Sequence, residues 1–288
     1  MERQKLDLVH QPLLEQRLKN FATQISSYSF ANLYLFRHVH DYEVLWLGDE
    51  PFIEGTSHDG FRFLMPTSFT GLERVAAEGS VGEGIDFLFP VAEEWLRFFS
   101  ASLWQAFYKA EDSDYIFDVD QLSHYKGRHL SKKRNLVKQL LEQHEVHERP
   151  LDASQKAEAA HLLDIWHHNA AKASDAFAEG TNTKPCREAI ELFDNLHLTG
   201  SLYYIGSEIA GFLIGEPLTA DTYVIHFAKA DIHFKGIYQY MYQSFAGSLA
   251  GRVHFLNLEQ DLGRQDLRQA KHSYQPINMC KKMRLRRI

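Results

Sequence analysis

Tyr223-Val224-Ile225-His226-Phe227-Ala228-Lys229-Ala230 is an apolar run rich in β-branched and aromatic residues, and it reads as a strand. A polar turn follows, ending in Phe234-Lys235-Gly236, and apolar spacing from Ile237 to Leu249 predicts a helix. Val253-His254-Phe255-Leu256-Asn257 predicts a second short strand. A polar cluster comes next, Asn257-Leu258-Glu259-Gln260-Asp261-Leu262-Gly263, running into Leu267-Arg268-Gln269-Ala270-Lys271-His272-Ser273-Tyr274-Gln275-Pro276. Strand, turn, helix and strand, with ionisable groups gathered at the strand end, is the layout of an α/β site.

Upstream of this stretch the second half of the chain opens with a helix from about Asp152 or Ser154 through Trp166. Gly180-Thr181-Asn182-Thr183 reads as a loop, and Pro185 suits the first turn of a helix reaching Leu196. Ser201 to Ile205 and Ile209 to Gly215 predict strands joined by a tight Gly206-Ser207-Glu208 hairpin. The tail from Ile277 to Ile288 offers one more strand before a basic end. In the first half, Pro12 to Ser27 is amphipathic, with Leu13, Leu14, Leu18 and Phe21 on one face. Phe30 to Phe36 is apolar and fits helix or strand equally. Tyr42 to Leu47, the Gly48-Asp49 turn and Phe52-Ile53 predict a hairpin, and Gly60 to Pro66 the next strand. Ile85 to Phe89 is another strand, with a helix expected from Val91 to Leu103 and a short strand at Tyr115-Ile116-Phe117. Ser131 to His144 has helical spacing with Ser131 as its cap. Arg149-Pro150-Leu151-Asp152 breaks the pattern and reads as a linker. The halves share a rhythm of hairpin, strand, helix and strand, so two similar units are expected, 1–149 and 150–288.

The bulk properties bound the function. A chain of 288 residues with 44% hydrophobic and 13% aromatic content can bury two cores. A net charge of −7 argues against a nucleic-acid coat protein while allowing a local basic patch. Two distant cysteines, Cys186 and Cys280, suggest neither a disulfide framework nor a thiolate metal site. The N-terminal residues lack a signal peptide's apolar core, and no run reaches membrane-spanning length, so a cytoplasmic protein is expected.

Three groups of residues carry chemistry. Lys235-Gly236-Ile237-Tyr238-Gln239 puts a glycine and a helix start together, where free amides and the lysine suit a phosphate. The bland alternative is a turn glycine beside a solvated lysine. Glu259, Asp261, Arg268 and Lys271 place carboxylates before a helix carrying cations three residues apart, as acyl transfer requires for proton acceptance and oxyanion stabilisation. Ion pairs fixing that helix explain the pattern equally well. Tyr274 is a core aromatic or a general acid. Lys126, Arg128, Lys132, Lys133, Arg134 and Lys138 form a basic run, either a solvated helix face or a surface for RNA or anionic lipid. The sixteen histidines show no His-Glu-x-x-His spacing, so no metal is expected. Gly-x-Ser-x-Gly, Gly-x-Gly-x-x-Gly and P-loop motifs are absent.

The segments 257–263 and 267–276 resemble the signature of the catalytic domain shared with bacterial phosphatidylglycerol lysyltransferases (domain of unknown function 2156). Lys229-Ala230-Asp231 and Gly236-Ile237-Tyr238-Gln239 fit the same pattern. So do Tyr28-Ser29-Phe30-Ala31-Asn32-Leu33-Tyr34, Lys126-Gly127-Arg128 and Lys132-Lys133-Arg134-Asn135 in the first half. The resemblance implies an α+β fold of tandem GNAT-like acyl-CoA N-acyltransferase domains, each a mostly antiparallel sheet flanked by helices. It implies a donor arm lying between two splayed parallel strands, here those at Tyr223 and Val253, with the first domain in a supporting role. The implied catalytic residues are Glu259, Asp261, Arg268, Lys271 and Tyr274. Lys235 to Gln239 would hold the donor, and Lys132, Lys133, Arg134 and Asn135 the anionic substrate. Aminoacyl-tRNA or acyl-CoA is the implied donor, with no permanently bound cofactor, and tRNA, an anionic lipid or a small molecule the partner. Two departures stand out: the chain lacks the multi-helix membrane portion of those enzymes, and its turn has one glycine where acetyl-coenzyme A loops have two.

Overall fold

The computed structural model describes residues 2–79, 82–173 and 182–288. Its strands are β1 (Glu2–Lys5), β2 (Glu43–Leu47), β3 (Glu50–Thr56), β4 (Arg62–Pro66), β5 (Phe87–Val91), β6 (Trp104–Tyr108), β7 (Asp114–Asp118), β8 (Val146–Pro150), β9 (Thr199–Ile205), β10 (Glu208–Pro217), β11 (Thr222–Ala230), β12 (Phe255–Asn257), β13 (Asn278–Cys280) and β14 (Met283–Arg287). The chain forms two compact units. One comprises residues 1–115, 259–269 and 278–288, the other residues 116–258 and 270–277. These contact groups interleave along the chain. The division into two GNAT-like domains, 1–149 and 150–288, stands as a proposal.

In the first unit the sheet order is β1-β2-β3-β4-β5-β14-β6. Neighbours are antiparallel apart from β4 and β5, which pair in parallel at Phe63↔Phe87 and Leu64↔Leu88. Helix Phe69–Glu78 makes the crossover between them, started by the Ser68 hydroxyl accepting from the Gly71 amide and ended by Gly79 at φ 62°. β14 comes from the C-terminal end of the sequence yet lies between β5 and β6. It carries Arg284, 1% exposed, whose guanidinium donates to Asp59 and Asp112 at 2.8 Å beneath the Phe87 and Phe89 rings. Just before it, fully buried Lys282 lies 2.7 Å from Asp114. Breaking such a buried pair from one side costs about 3–5 kcal/mol, so this strand is anchored by charge as well as by its ladder.

In the second unit the strands run β7-β12-β11-β10-β9-β8. β11 and β12 are the parallel pair, joined by helix Ile237–Leu249, and the other neighbours are antiparallel. The helix packs Phe245 against Tyr223, ring centroids 5.2 Å apart, and Met241 over Gly211, where a Cβ would overlap the sulfur. β7, from the first half of the sequence, pairs with β12 at Phe117↔Leu256. Each sheet is thus completed by a strand from the other half of the sequence. Both are mixed, mostly antiparallel sheets with one parallel crossover, as tandem GNAT-like domains require.

Several local expectations are settled or corrected. Phe30–Phe36 is a helix, capped by the Ser29 hydroxyl. The helix expected from Val91 to Leu103 is a short 3-10 turn, Glu93–Phe98, followed by β6 at Trp104. Its aromatics are drawn into tertiary packing: Trp95 lies 4.7 Å from Phe21 and 5.3 Å from Tyr28, ring to ring. The Arg149-Pro150 linker is the end of edge strand β8, with Arg149 opposite Leu202 and Pro150 opposite Ser201. Proline is tolerated there because an edge residue need not donate to a second neighbour. The first helix is shorter than expected, Gln11–Lys19. Helices Phe69–Glu78 and Val119–His124 were not foreseen. Of the expected loop at 180–183, Gly180 and Thr181 lie outside the described residues; Thr183 opens helix Thr183–Glu191, with Pro185 in its first turn.

Candidate functional site

In the first unit, residues 259–264 form an irregular strap. Glu259 (φ 58°), Leu262 (φ 53°) and Gly263 (φ 76°) all take the left-handed backbone, two of them with side chains. For the two residues with side chains such a conformation costs about 1–3 kcal/mol and persists only where surrounding contacts hold it, often at functional sites. Here the contacts are explicit. The Tyr115 amide donates to the Glu259 carbonyl at 3.1 Å, and the Leu262 amide to the Glu111 carbonyl at 3.1 Å. Asn32 Nδ2 donates to Glu259 Oε1 at 2.8 Å, and Lys282 Nζ to Gln260 Oε1 at 2.7 Å. Asn32 is itself fixed by the Ser29 hydroxyl, which accepts its amide at 3.1 Å at the helix start.

At the centre is Asp261, fully buried. Oδ2 accepts from the Tyr115 hydroxyl at 2.6 Å and from Arg268 Nε at 2.9 Å. Oδ1 accepts from the Gly263 amide at 2.8 Å and from Arg268 Nη2 at 3.1 Å. Burial opposes the charged form, but Arg268, Tyr115 and Gly263 together outweigh it and hold the carboxyl below its ordinary range. Burial and then the Asp261 charge push the Tyr115 hydroxyl up to about 12. A carboxylate so satisfied is a poor proton acceptor and a good clamp. It fixes Arg268, whose side chain remains 42% exposed and presents its outer edge from helix Gln265–His272.

In the second unit the β11–helix turn is packed against protein. Gly236 has φ 99°, and a Cβ there would sit 2.5 Å from the Leu136 carbonyl oxygen. The glycine is therefore required both by backbone conformation and by the close approach of helix Ser131–Gln143. The Tyr238 hydroxyl accepts from the Ala230 amide and from Trp166 Nε1, both at 3.2 Å, tying the end of β11 to helix Lys156–Ala173. Ile237 is buried, and Lys235 is exposed. Gln239 Nε2 donates to the Tyr274 hydroxyl at 3.0 Å, while the Tyr125 hydroxyl donates to the Gln239 carbonyl at 2.7 Å. Lys133 lies 3.8 Å from the centre of the Tyr274 ring and donates to the Ser273 hydroxyl at 2.7 Å. Partial burial lowers the Lys133 ammonium below its usual range. Tyr274 is 6% exposed, and burial raises its hydroxyl.

The structure thus joins Asp261 to Arg268, and Lys133 to Tyr274 and Gln239. Glu259 accepts from Asn32. Lys271, half-buried, follows Arg268 by one turn of the same helix. Lys132, Arg134 and Asn135 are exposed, with Arg128 and Lys126 nearby. Arg134 turns back to the Tyr125 and Gly127 carbonyls, and Lys126 pairs with Asp120. Sequence reasoning missed Tyr115 and Asn32, which no local spacing connects to residues 259–268. Among the described residues no group of three or more His, Cys, Asp or Glu could hold a metal ion. No described helix is long and apolar enough to cross a membrane.

The family described as phosphatidylglycerol lysyltransferase, C-terminal, matches residues 18–284. No curated protein is significantly similar in sequence. Among solved structures, a conserved protein of unknown function from Bacteroides thetaiotaomicron superposes with a TM-score of 0.83 at 21% identity, covering 100% of this chain and 99% of that one. L-PGS from Bacillus licheniformis gives 0.57 at 12% identity, covering 96% and 91%. FemX gives 0.60 at 10% identity, covering 100% and 98%.

Proposed function

The chain belongs to the phosphatidylglycerol lysyltransferase C-terminal family, and from that premise we propose that it is an acyltransferase moving an aminoacyl group from aminoacyl-tRNA to a small or lipid acceptor. The observation that carries the reading is the parting of β11 and β12. Their parallel pairing covers only Thr222↔Phe255, Tyr223↔Leu256 and Val224↔Asn257, while β11 continues to Ala230. Beyond Val224 the two strands are no longer paired, and in this reading the donor's acyl arm lies along that stretch of β11.

Two features favour tRNA over acyl-CoA as donor. The turn that would cradle a coenzyme A pyrophosphate has one glycine, and the Leu136 carbonyl oxygen crowds it with partial negative charge. The exposed cations Arg128, Lys132 and Lys235 suit a polyanion reached at several phosphates. In this reading Arg268, clamped by Asp261, stabilises the oxyanion or a phosphate, with Glu259 and Lys271 on either side of it in sequence. Gln239 and Tyr238 shape the turn, Lys133 and Tyr274 form a shared contact surface, and Arg134 and Asn135 continue the basic face. A cytoplasmic location fits the donor.

The test is transfer itself. The protein is incubated with a mixture of radiolabelled aminoacyl-tRNAs and, in parallel, titrated calorimetrically with acetyl-coenzyme A. Label moving to a new product, abolished in Arg268→Ala with folding intact, supports the reading. Tight acetyl-coenzyme A binding without tRNA turnover supports an N-acetyltransferase acting on a small amine. Salt-sensitive tRNA binding without product points to a non-catalytic RNA-binding module.

A further inference from the structure

Stability does not explain one residue of the 259–264 strap. Leu262 holds φ 53° while remaining 40% exposed, beside Gly263, which takes the same left-handed region at φ 76° without a Cβ. That backbone disfavours every residue with a side chain, and leucine lacks the short polar group that lets asparagine or aspartate adopt it. At Glu259, the other strained position, the side chain accepts from Asn32 at 2.8 Å. The Leu262 side chain has no polar atom to bond. Its amide donates to the Glu111 carbonyl at 3.1 Å, a bond that glycine would make equally well. A lone exposed leucine is ordinary, but an exposed leucine in a strained backbone is not. Its neighbours show what it stands beside. Asp261 is fully buried and faces inward, so Leu262, the next residue, faces outward. Asp261 also holds Arg268 Nε at 2.9 Å, and the outer edge of that guanidinium is exposed. Residues 261–268 therefore present an apolar group and a fixed cation from one short segment.

We propose that Leu262 is a specificity-determining residue that packs against the side chain of the aminoacyl group, and that the donor carries an uncharged, apolar amino acid. The inference rests on the transferase reading, with Arg268 at the oxyanion, and narrows its donor. The carbonyl that Arg268 would hold is bonded to the carbon from which the amino-acid side chain branches. A group presented beside Arg268 therefore meets that side chain. An apolar side chain covers Leu262 and takes both surfaces out of water. A lysyl side chain covering the same leucine would have to strip water from its ammonium next to the Arg268 cation. A glutamyl side chain would draw Arg268 away from the carbonyl oxygen. Leu262 thus rejects charged donors without touching the reacting atoms, and the strain in its backbone is the cost of aiming it there.

The experiment uses the full chain and hydrolysis-stable donor fragments, adenosine bearing leucyl, phenylalanyl, lysyl or glutamyl in amide linkage at its 3′ position. Titration calorimetry measures the binding of each fragment. Transfer is followed in parallel as loss of label from the matching [14C]aminoacyl-tRNAs in the presence of a cell-derived metabolite and lipid extract. The inference expects the leucyl and phenylalanyl fragments to bind at least about 10-fold tighter than the lysyl and glutamyl ones, the lower end of what one apolar contact contributes. Leu262→Asn and Leu262→Gly both suit a left-handed backbone, so they should melt no lower than wild type. Each should lower leucyl affinity by about 10-fold and leave lysyl affinity unchanged. Where a fragment binds too weakly for calorimetry, the ratio of transfer rates from the tRNAs is the readout. Equal affinity for all the fragments, preference for a charged one, or variants that bind like wild type overturns the inference; label leaving any of the tRNAs then keeps the transferase reading. Both variants melting well below wild type also overturns it, by showing that the side chain serves the fold. No fragment bound and no label moved overturns both.

Discussion

Replacing Asp261 by asparagine tests the clamp beneath Arg268. Each carboxylate oxygen accepts two donors: Oδ2 takes the Tyr115 hydroxyl and Arg268 Nε, and Oδ1 takes the Gly263 amide and Arg268 Nη2. Asparagine offers one oxygen and one NH2 group. Whichever way the amide turns, its nitrogen faces two donors, so at least one buried bond becomes a donor–donor contact. With the nitrogen at Oδ1 the Gly263 amide is orphaned, and with it at Oδ2 Arg268 Nε loses its acceptor while the Tyr115 hydroxyl has to turn and accept from the new NH2 group. An unsatisfied buried group costs about 1–3 kcal/mol, so a loss of about 2 kcal/mol is expected at pH 7. Nothing further is added for the outer nitrogens of Arg268, which are solvated. The loss has a defined pH dependence. The folded Asp261 carboxyl titrates below its ordinary value of 3.8, so its stabilisation is present above that value and disappears as the pH falls through the lower folded one. Urea unfolding followed by tryptophan fluorescence should therefore show a constant difference between wild type and variant from about pH 5 upward, closing only in stronger acid. A variant as stable as wild type at pH 7, or a difference that grows in acid, would refute the clamp.

Other consequences follow from the same contacts. Gly236→Ala forces a side chain into a left-handed turn and against the Leu136 carbonyl, so it should cost more than about 1 kcal/mol in urea unfolding. Ending the chain after Lys281 removes β14, and with it Arg284 and Lys282, so residues 2–79 should become sensitive to limited proteolysis. Reversing Arg128 and Lys132 to glutamate should flatten the log–log salt dependence of tRNA binding by about 1.4–1.8, the contribution of two phosphates. A slope unchanged in filter binding would remove that face from the donor site.

The sequence was most legible where the physics is local. Helix Ile237–Leu249 was bounded as predicted, because its apolar spacing starts behind a glycine that the turn requires. The Gly206-Ser207 hairpin and the β11 and β12 strands were equally plain. What escaped was non-local. Nothing in Asp114–Asp118 announces pairing with Phe255–Asn257, and nothing in Met283–Arg287 announces a place between β5 and β6. Edge pairing turned an apparent linker at Arg149-Pro150 into a strand, and aromatic packing around Trp95 overrode a helical pattern. At the candidate site, the Asp261–Arg268 spacing was visible, as was their alternative reading as an ion pair. Tyr115 lies 146 positions from Asp261 and Asn32 lies 227 from Glu259, so only the fold could bring them together.

The most direct measurement of the central claim follows the fate of the acyl ester. Purified protein is mixed with [14C]aminoacyl-tRNA and, separately, with [14C]acetyl-coenzyme A in the presence of a cell-derived metabolite and lipid extract. The account predicts label leaving tRNA for a new product at a rate set by enzyme concentration, with coenzyme A-borne label untouched. Stable aminoacyl-tRNA beside consumed acetyl-coenzyme A, or no movement of either label, would contradict it.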